Sequence, residues 1–300
     1  MYHKPVMLAE CLDGLNIKPD GVYVDVTFGG GGHSKAILER LTTGKLFAFD
    51  QDSDAVANAP THAGFTLVKQ NFKYLKKFLR LYNALPIDGL LADLGVSSHQ
   101  FDVPDRGFST RFNAELDMRM NTSAPLTAKD VINKYSEEHL RHIFSEYGEV
   151  ANARKLASVI VSKRGEKPIT TVDELKAIMA ACVIKAKENQ YLAQVFQALR
   201  IEVNSELDVL KEMLLQCGEV IRPGGRLVVM SYHSLEDRLV KNYIAKGKFE
   251  GELEKDAIYG NITELAPFKA LNKKPVEAGD IELKENPRAR SAKLRVAEKV

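Results

Sequence analysis

One stretch of this chain constrains its fold more than any other: residues 22–34, which read VYVDVTFGGGGHS. Residues 22–28 are rich in β-branched and aromatic types, which is typical of a buried strand. After Ser34 the apolar side chains recur at helical spacing. The glycines between the two patterns lack a Cβ, so the backbone can turn tightly and approach a bound molecule. The stretch predicts a strand, a glycine turn and a helix, and the turn either binds a ligand or only connects the two elements.

The chain continues with alternating strand and helix patterns up to residue 94. This alternation favours an α/β fold with a doubly wound parallel sheet. After residue 94 the alternation stops, and it resumes near the end of the chain. Further strands are predicted over 45–50, 65–70, 88–94 and 226–233, with a helix over 71–82 and a closing edge strand over 292–297.

Two acidic residues lie near the ends of predicted strands. Asp50 ends the second strand, and Asp93 lies near the end of the fourth. Asp50 follows the glycine turn at about the 20-residue spacing at which a doubly wound fold has the carboxylate that binds a ribose hydroxyl. Because the carboxyl ends of parallel strands lie at one edge of the sheet, we expect Asp50, Asp93, Phe28 and Asn71 to converge on one crevice.

The middle of the chain has a different character. Residues 95–125 show no clear periodicity, which predicts a long functional loop. From Thr127 the pattern is helical, with capping-box sequences at Thr127 and Asp130 and at Thr171 and Glu174. We therefore expect a Rossmann-like domain made of residues 1–110 and 206–300, interrupted by an inserted helical domain at 111–205.

Local sequence features predict where several helices begin and end. Residues 165–170 are predicted to connect two helices, and one long helix is predicted to run from 196 to 221. Residues 222–225, which read RPGG, are expected to break that helix. Ser234 is predicted to cap the following helix, and residues 247–279 are predicted to be rich in loops.

Composition excludes several classes of protein. With 45% hydrophobic residues the chain can build a proper core, and it has no apolar run approaching the roughly 18 residues of a membrane span. The N-terminus lacks the form of a signal peptide, so we expect a cytoplasmic protein with no membrane partner. Cys11, Cys182 and Cys217 are widely spaced, which predicts buried, inert thiols rather than disulfides. No clustered His, Cys and acidic residues suggest a protein-bound metal.

A basic stripe is predicted on the helix over 71–82. The formal net charge of +2 says little about a polyanionic partner. The stripe consists of Lys73, Lys76, Lys77 and Arg80, which recur at helical spacing. It is either a solvated helix face or a set of phosphate contacts to RNA.

The spacing of the glycines decides between classes of nucleoside cofactor. In the dinucleotide pattern GxGxxG the third glycine would fall on Ser34 or Lys35, so the glycine that permits close packing at a pyrophosphate is absent. No Gly-Lys-Ser/Thr of a Walker A motif follows. A nucleoside without phosphates, bound by a strand-end acid, suits S-adenosylmethionine. An NAD-dependent dehydrogenase is the rival interpretation, and a noncatalytic RNA-binding factor is a second.

Seven motifs in order resemble the bacterial RsmH (MraW) family, the small-subunit ribosomal RNA cytosine-N4 methyltransferases. The resemblance covers nearly the whole chain. The motifs are TFGGGGHS at 27–34, DLGVSS at 93–98, RGFS at 106–109, LDMRM at 116–120, FQALRI at 196–201, SYHSLEDR at 231–238 and NPRARS at 286–291.

The resemblance implies a class I methyltransferase sheet with a helical insertion that recognises RNA. It also implies methyl transfer from S-adenosylmethionine to the exocyclic N4 of a specific cytidine in 16S ribosomal RNA near the decoding centre, with the 30S subunit as the expected partner. Phe72 either packs on the adenine or is a core aromatic. By matching position, the implied cofactor contacts are Gly31, Gly32, His33, Asp50, Phe72, Asp93 and Gln100.

The chemistry requires alignment of the amine with the sulfonium methyl and acceptors for the amine hydrogens. Candidates for the catalytic groups are Asp93, Asp117 and His233, and His233 is alternatively a hydrogen-bonded structural histidine. The basic residues of the long loop are either solvated or hold phosphates and stack on an unpaired base. The residues expected to bind the substrate in this way are Arg106, Arg111 and Arg119.

Overall fold

A computed structural model describes residues 5–183, 185–251 and 265–300 of the chain. The chain divides into two compact units. The first unit comprises Met1–Gly95 and Leu207–Val300, and the second comprises Val96–Glu206. The sequence-based boundaries are 110/111 and 205/206. Residues 96–110 belong with the second unit because Phe108 is part of its hydrophobic core.

The first unit is built on a seven-stranded sheet with the order β3-β2-β1-β4-β5-β7-β6. Strands β1 to β5 are parallel, whereas β7 is antiparallel to both β5 and β6. This confirms the predicted α/β class and the class I methyltransferase sheet. The strands are β1 (Val22–Asp25), β2 (Lys45–Phe49), β3 (Phe65–Val68), β4 (Ile87–Asp93), β5 (Ile221–Ser231), β6 (Phe268–Ala270) and β7 (Lys293–Lys299).

The α-helices of the described residues are distributed over both units. Within these residues, no helix combines the length and apolar character needed to cross a membrane. In chain order the helices are α1 (Leu8–Leu15), α2 (Gly32–Leu38), α3 (Leu75–Leu81), α4 (Ser98–Asp102), α5 (Ala128–Lys134), α6 (Glu137–Glu146), α7 (Ala153–Glu166), α8 (Val172–Ala180), α9 (Glu188–Asn204), α10 (Glu206–Val220), α11 (Ser234–Lys246) and α12 (Asp280–Glu285).

The central strands of the first unit are apolar on both faces because a hydrophobic core covers each face of the sheet. In β4, Leu90 packs into the core that contains residues of α3, α10 and α11. Its neighbour Leu91 packs into the opposite core, which contains residues of α1 and α2. Side chains alternate between the faces of a strand, so a doubly covered parallel strand has a continuous apolar sequence. The apolar run at 90–92 has this structural origin.

The second unit is helical, and its hydrophobic core draws on α5 to α9. Both predicted capping boxes are present: Thr127 with Asp130 at the start of α5, and Thr171 with Glu174 at the start of α8. A third, unpredicted capping box begins α4. The expectation of an irregular loop over 95–125 is therefore wrong at 98–102, where the helix is too short for its apolar periodicity to be visible.

The predicted long helix from 196 to 221 is wrong, because α9 ends at Asn204 and α10 begins at Glu206. Ser205 between them has a φ of 50°, a left-handed conformation that ends a helix. The Asn204 side chain donates hydrogen bonds to the carbonyl oxygens of Arg200 and Met118, at 2.9 and 2.8 Å. The apolar stripe continues across the break, so periodicity alone does not reveal it.

Three further expectations need correction. Gly165 lies inside α7 rather than in a linker. Residues 222–225 lie within β5 rather than in a separate turn. The register of β5 against β4 shifts at this point, so the extra residues form an irregularity in the strand. Strand β7 is not the edge of the sheet, because β6 pairs with its outer side. Strand β6 lies in the stretch 247–279 that was predicted to be rich in loops, of which residues 252–264 lie outside the described residues.

Two glycine substitutions test this description of the second unit. Gly107 has a φ of +69°, and a Cβ there would lie 2.3 Å from the carbonyl oxygen of Glu115. Gly107→Ala should therefore lower the opening free energy of the second unit by at least about 2 kcal/mol. Native-state hydrogen exchange measures this free energy for each unit separately.

The matched control is Gly165→Ala, because a Cβ at this position would meet no atom within 4 Å. It should raise the opening free energy by about 0.5 kcal/mol, since alanine favours a helix over glycine. If both substitutions changed the opening free energy of the second unit equally, the close contact at Gly107 and the open space at Gly165 would be contradicted.

Candidate functional site

The glycine turn connects β1 to α2 and is shaped by contacts inside the protein. Gly31 has a φ of 76°, and a Cβ there would lie 3.0 Å from the Phe28 ring. At Gly32 a Cβ would lie 2.3 Å from Cγ of Pro5. Both positions therefore require glycine before any ligand is considered. The close packing of Pro5 on the turn has no visible trace in the sequence.

Asp25, which sequence reasoning missed, holds the turn together from the end of β1. Its carboxylate is buried and accepts hydrogen bonds from the Ser34 hydroxyl at 2.7 Å and the Thr27 backbone N–H at 3.0 Å. The Thr27 hydroxyl in turn accepts a hydrogen bond from the backbone N–H of Asp93 at 2.7 Å. An acidic residue in an otherwise apolar strand, four residues before a glycine run, is the sequence feature that could have pointed to it.

Asp50 follows β2 and faces the glycine turn. Its carboxylate accepts hydrogen bonds from the backbone N–H groups of Gly29 and Asp52, both at 2.8 Å. Burial raises its pKa to about 6, although these two donors lower it, and the neighbouring carboxylates of Asp52 and Asp25 raise it further. The predicted approach of Asp50 to the turn is thus present in the structure.

Asp93 lies at the end of β4 and contacts side chains from two other elements. Its Oδ1 accepts a hydrogen bond from the Tyr232 hydroxyl at 2.7 Å, and its Oδ2 lies 3.8 Å from Nδ1 of His33. Burial raises the pKa of Asp93 to about 6, while His33 and the Tyr232 hydrogen bond lower it. Tyr232 is the second residue that sequence reasoning missed. Burial, and then Asp93, raise the pKa of its phenol, which stays protonated as a donor.

His33 connects Asp93 to the N-terminal segment. Its Nε2 lies 3.0 Å from the carbonyl oxygen of Val6. A carbonyl only accepts, so Nε2 carries the proton and Nδ1 faces Asp93. The ring is buried and its orientation is set from both sides.

Phe72 and Asn71 follow β3. Phe72 begins a 3₁₀ turn and packs, partly buried, against the hydrophobic core of the first unit. This contact supports the core role that was left open for Phe72. The side-chain amide of Asn71 donates a hydrogen bond to Gln51 at 2.9 Å, so the ends of β2 and β3 lie together beside Asp50.

The charge of this cluster fits a cationic nucleoside. Among the described residues, neither Asp50 nor Asp93 forms an ion pair with lysine or arginine. The charged or chargeable groups that act on them are carboxylates and His33. S-adenosylmethionine carries a sulfonium and an ammonium group, which carboxylates attract, and a ribose that they can bind. A pyrophosphate would be repelled here. The residues present therefore fit S-adenosylmethionine and disfavour a dinucleotide.

Gln100 and Arg106, two further predicted residues, belong to the second unit and have internal partners there. Gln100 is buried at the third position of α4, and its side chain and that of Ser97 form the capping box. Arg106 is also buried, and its guanidinium donates to the carbonyl oxygens of Arg119 and Met120 at 2.9 and 3.2 Å. Burial disfavours a direct contact of Arg106 with RNA and gives it a role in shaping the loop.

Asp117, Arg119 and Arg111 are also engaged within the second unit. Arg119 donates from Nε and Nη2 to the carboxylate of Asp117, with a shortest distance of 2.6 Å. Arg111 is exposed, with an ion pair to Asp102 at 3.1 Å. Its guanidinium lies 5.1 Å from the ring centroid of Phe101 and 5.6 Å from that of Phe112. Arg111 is thus the predicted arginine that presents both charge and aromatic neighbours.

His233 is the N-cap of α11, a role that was predicted for Ser234. Its Nδ1 accepts a hydrogen bond from the backbone N–H of Glu236 at 3.4 Å, and Nε2 lies 3.2 Å from a carboxylate oxygen of Glu236. That carboxylate also accepts a hydrogen bond from the N–H of Tyr232 at 2.9 Å. These contacts support the structural role of His233 and fix the segment that carries Tyr232.

Comparison with known proteins identifies the family. The family model described as the MraW methylase family matches residues 1–300. The chain belongs to the MraW methylase family. The predicted resemblance is confirmed, and the protein is a methyltransferase that uses S-adenosylmethionine. The dehydrogenase interpretation is excluded.

The relatives match over the full chain. The ribosomal RNA small subunit methyltransferase H of Flavobacterium johnsoniae is 58% identical over 300 residues, covering 100% of this chain and 98% of the relative. The protein of the same name from Cytophaga hutchinsonii is 56% identical over 301 residues, with 100% of both chains covered. The structure is also similar to an rRNA methylase from Streptococcus thermophilus, with a TM-score of 0.39, 12% identity, and 100% and 99% of the two chains covered.

The pKa values at this site predict how cofactor affinity depends on pH. Asp50 and Asp93 each have a pKa of about 6 in the free protein, so lowering the pH from 7.5 to 5.5 protonates most of both carboxylates. A protonated carboxyl no longer attracts the cationic cofactor, and the Kd should rise by about fourfold for each carboxylate that must be ionised. Calorimetric titration at the two pH values measures this change. A Kd that is independent of pH over this range would contradict this prediction. In Asp50→Asn the Kd should rise less on acidification, because the contribution of the Asp50 carboxylate is absent.

Tyr232→Phe tests the hydrogen bond that holds Asp93. The phenol lowers the pKa of Asp93, so its removal should raise that pKa and move the loss of cofactor affinity to higher pH. The affinity at pH 8, where Asp93 is ionised in both proteins, should change less than the affinity at pH 6.5. Tyr243→Phe is the control, because Tyr243 is buried in the core of the same unit and away from this network. Identical pH profiles for wild type and Tyr232→Phe would exclude this role.

Proposed function

We propose that this protein transfers the methyl group of S-adenosylmethionine to the exocyclic N4 of a specific cytidine in small-subunit (16S) ribosomal RNA, near the decoding centre. The observation that carries the proposal is the full-length similarity to proteins named ribosomal RNA small subunit methyltransferase H, at 58% and 56% identity. The acidic cluster at the ends of β1, β2 and β4 supports the same cofactor class. We further propose the assembled 30S subunit as the substrate and the cytoplasm as the location.

The proposed cofactor site is organised around Asp50 and Asp93. We assign the ribose hydroxyls to Asp50, whose carboxylate is already fixed by the N–H groups of Gly29 and Asp52. Asp93, oriented by Tyr232 and His33, attracts the cationic end of the cofactor. The remaining proposed contacts within the first unit are Gly31, Gly32 and His33, together with the part of the Phe72 ring that the core leaves exposed.

The reaction needs little acid or base strength but accurate alignment. S-adenosylmethionine, when bound, supplies an electrophilic methyl group on a sulfonium. The cytosine amine gains this methyl as the methyl–sulfur bond breaks, which leaves S-adenosylhomocysteine, and the amine releases one proton to water. Of the three catalytic candidates, Asp117 is paired with Arg119 and His233 caps α11. The Oδ2 atom of Asp93 lies beside His33. We propose that the carboxylate of Asp93 orients the reacting groups. His233 then acts as a positioning residue through Glu236 and Tyr232.

We propose that the inserted helical unit recognises the RNA. Arg111 is the arginine best suited to contact it, since its guanidinium lies beside Phe101 and the exposed ring of Phe112. Arginine planes and aromatic rings stack on unpaired bases. Arg106 and Arg119 donate hydrogen bonds to carbonyl oxygens of their own loop and stabilise its conformation.

A methyl-transfer assay tests the proposal. Purified protein is incubated with methyl-labelled S-adenosylmethionine and either 30S subunits or naked 16S ribosomal RNA from cells that lack the gene. We expect label in a single cytidine of the 30S substrate and little in naked RNA. Asp93→Asn should reduce labelling at least about 100-fold because it removes the charge at the reacting end. Normal RNA binding without transferred label would instead support the noncatalytic RNA-binding interpretation.

His233→Ala separates the two roles of His233. As a positioning residue it should change the rate only modestly, while removal of a catalytic base should cost about 100-fold or more with cofactor binding unaltered. The rate at saturating 30S subunits and the Kd for S-adenosylmethionine are the two measurements.

A further inference from the structure

The segment from β3 to α3 has an unusual distribution of charge. Between Asp54 and Asp88 the chain contains no acidic residue. The same segment carries five basic residues, although the net charge of the whole chain is only +2. The basic residues are Lys69, Lys73, Lys76, Lys77 and Arg80. A local excess of this kind attracts polyanions irrespective of the overall charge.

The structure divides the basic stripe of this segment into two kinds of lysine. Lys76 forms an ion pair with Glu219 of α10, so its charge is offset within the protein. Lys73 and Lys77 form no ion pair with an acidic residue in the part of the chain that the structure describes. Their ammonium groups lie 5.1 and 6.0 Å from the ring centroid of Tyr74.

Tyr74 contacts both lysine ammonium groups without neutralising them. The face of an aromatic ring attracts ammonium groups and leaves their full charge available to a partner. The ring is 41% exposed, so the pair of lysines is accessible from solvent in this unit.

The backbone beneath this pair is firmly held. The Asn71 side chain accepts a hydrogen bond from the N–H of Lys73 at 2.9 Å. Gln216 of α10 donates to the carbonyl oxygen of Lys73 and accepts from the N–H of Lys76, each at 2.8 Å. The lysine stems therefore start from fixed positions, which reduces the entropy lost on binding.

We propose that Lys73 and Lys77, together with Tyr74, form a binding site for backbone phosphates of the RNA substrate. Both ammonium groups are available to phosphates of a single strand, and both contact the Tyr74 ring. The inference rests on the proposed function, because it takes ribosomal RNA as the polyanion. It adds a contact in the first unit to those proposed for the inserted helical unit.

The salt dependence of RNA binding tests the site. The dissociation constant for 30S subunits is measured at several KCl concentrations for wild type, Lys73→Gln/Lys77→Gln and Lys76→Gln. The double variant should reduce the slope of log affinity against log salt by about 1.4, because each phosphate contact to a single strand contributes about 0.7. Lys76→Gln is the matched control, since it removes one charge from the same helix at a lysine already paired with Glu219. Its slope should equal that of wild type.

Substitutions of Tyr74 test how the lysines are held. Tyr74→Phe keeps the ring and should leave binding unchanged, whereas Tyr74→Leu should weaken binding severalfold. In methylation assays Lys73→Gln/Lys77→Gln should raise KM for 30S subunits and leave the rate at saturating substrate and the Kd for S-adenosylmethionine unchanged. Because Tyr74→Leu alters packing as well as the contacts of the ring with the two ammonium groups, the cofactor Kd also serves as its folding control.

The outcomes separate this inference from the proposed function. A wild-type slope in the double variant, or an equal reduction by Lys76→Gln, would overturn the phosphate site while the methylation activity stands. A wild-type protein that neither binds nor methylates 30S subunits would overturn the proposed function itself.

Discussion

The carboxylate of Asp25 forms the interactions on which the edge of the sheet at the ends of β1 and β4 depends. It lies at the end of β1 and bonds to the first turn of α2 through Ser34 and to the backbone of Thr27. The Thr27 hydroxyl then holds the backbone of Asp93 at the end of β4. Without these bonds a buried carboxylate would be left without donors, which is costly. The side chains of Asp25 and Thr27 therefore fix the glycine turn, α2, β1 and β4 relative to each other.

The same edge concentrates negative charge that the protein does not neutralise. Asp50 and Asp93 have pKa values of about 6 because burial penalises their charged forms and neighbouring carboxylates add to that effect. Such a cluster is unfavourable in the free protein, and it attracts a cation. The network from Tyr232 through Asp93 to His33 and Val6 keeps the carboxylate oriented. Preorganised charge of this kind is how a site stabilises a reacting group at low cost.

Local patterns in the sequence predict much of this fold. Strands β1 to β4, the glycine turn, both capping boxes and the acids at the ends of β2 and β4 follow from patterns of a few neighbouring residues. Two of the failures have one physical origin, since they depend on contacts between residues far apart in the chain. The break at Ser205 involves Asn204 and Met118. The inner position of β7 depends on β6.

The sequence by itself determined the family, the cofactor class and the approach of Asp50 to the glycine turn, because motifs and strand ends are local. Only the tertiary structure decided that Pro5 requires a glycine at position 32, that Asp25 and Tyr232 support the site, and that His233 caps a helix. It also separated Lys76, which is paired with Glu219, from Lys73 and Lys77 on the same stripe. The reason is that burial and pairing depend on which distant side chains fold against a residue, and helical or strand periodicity carries no information about them.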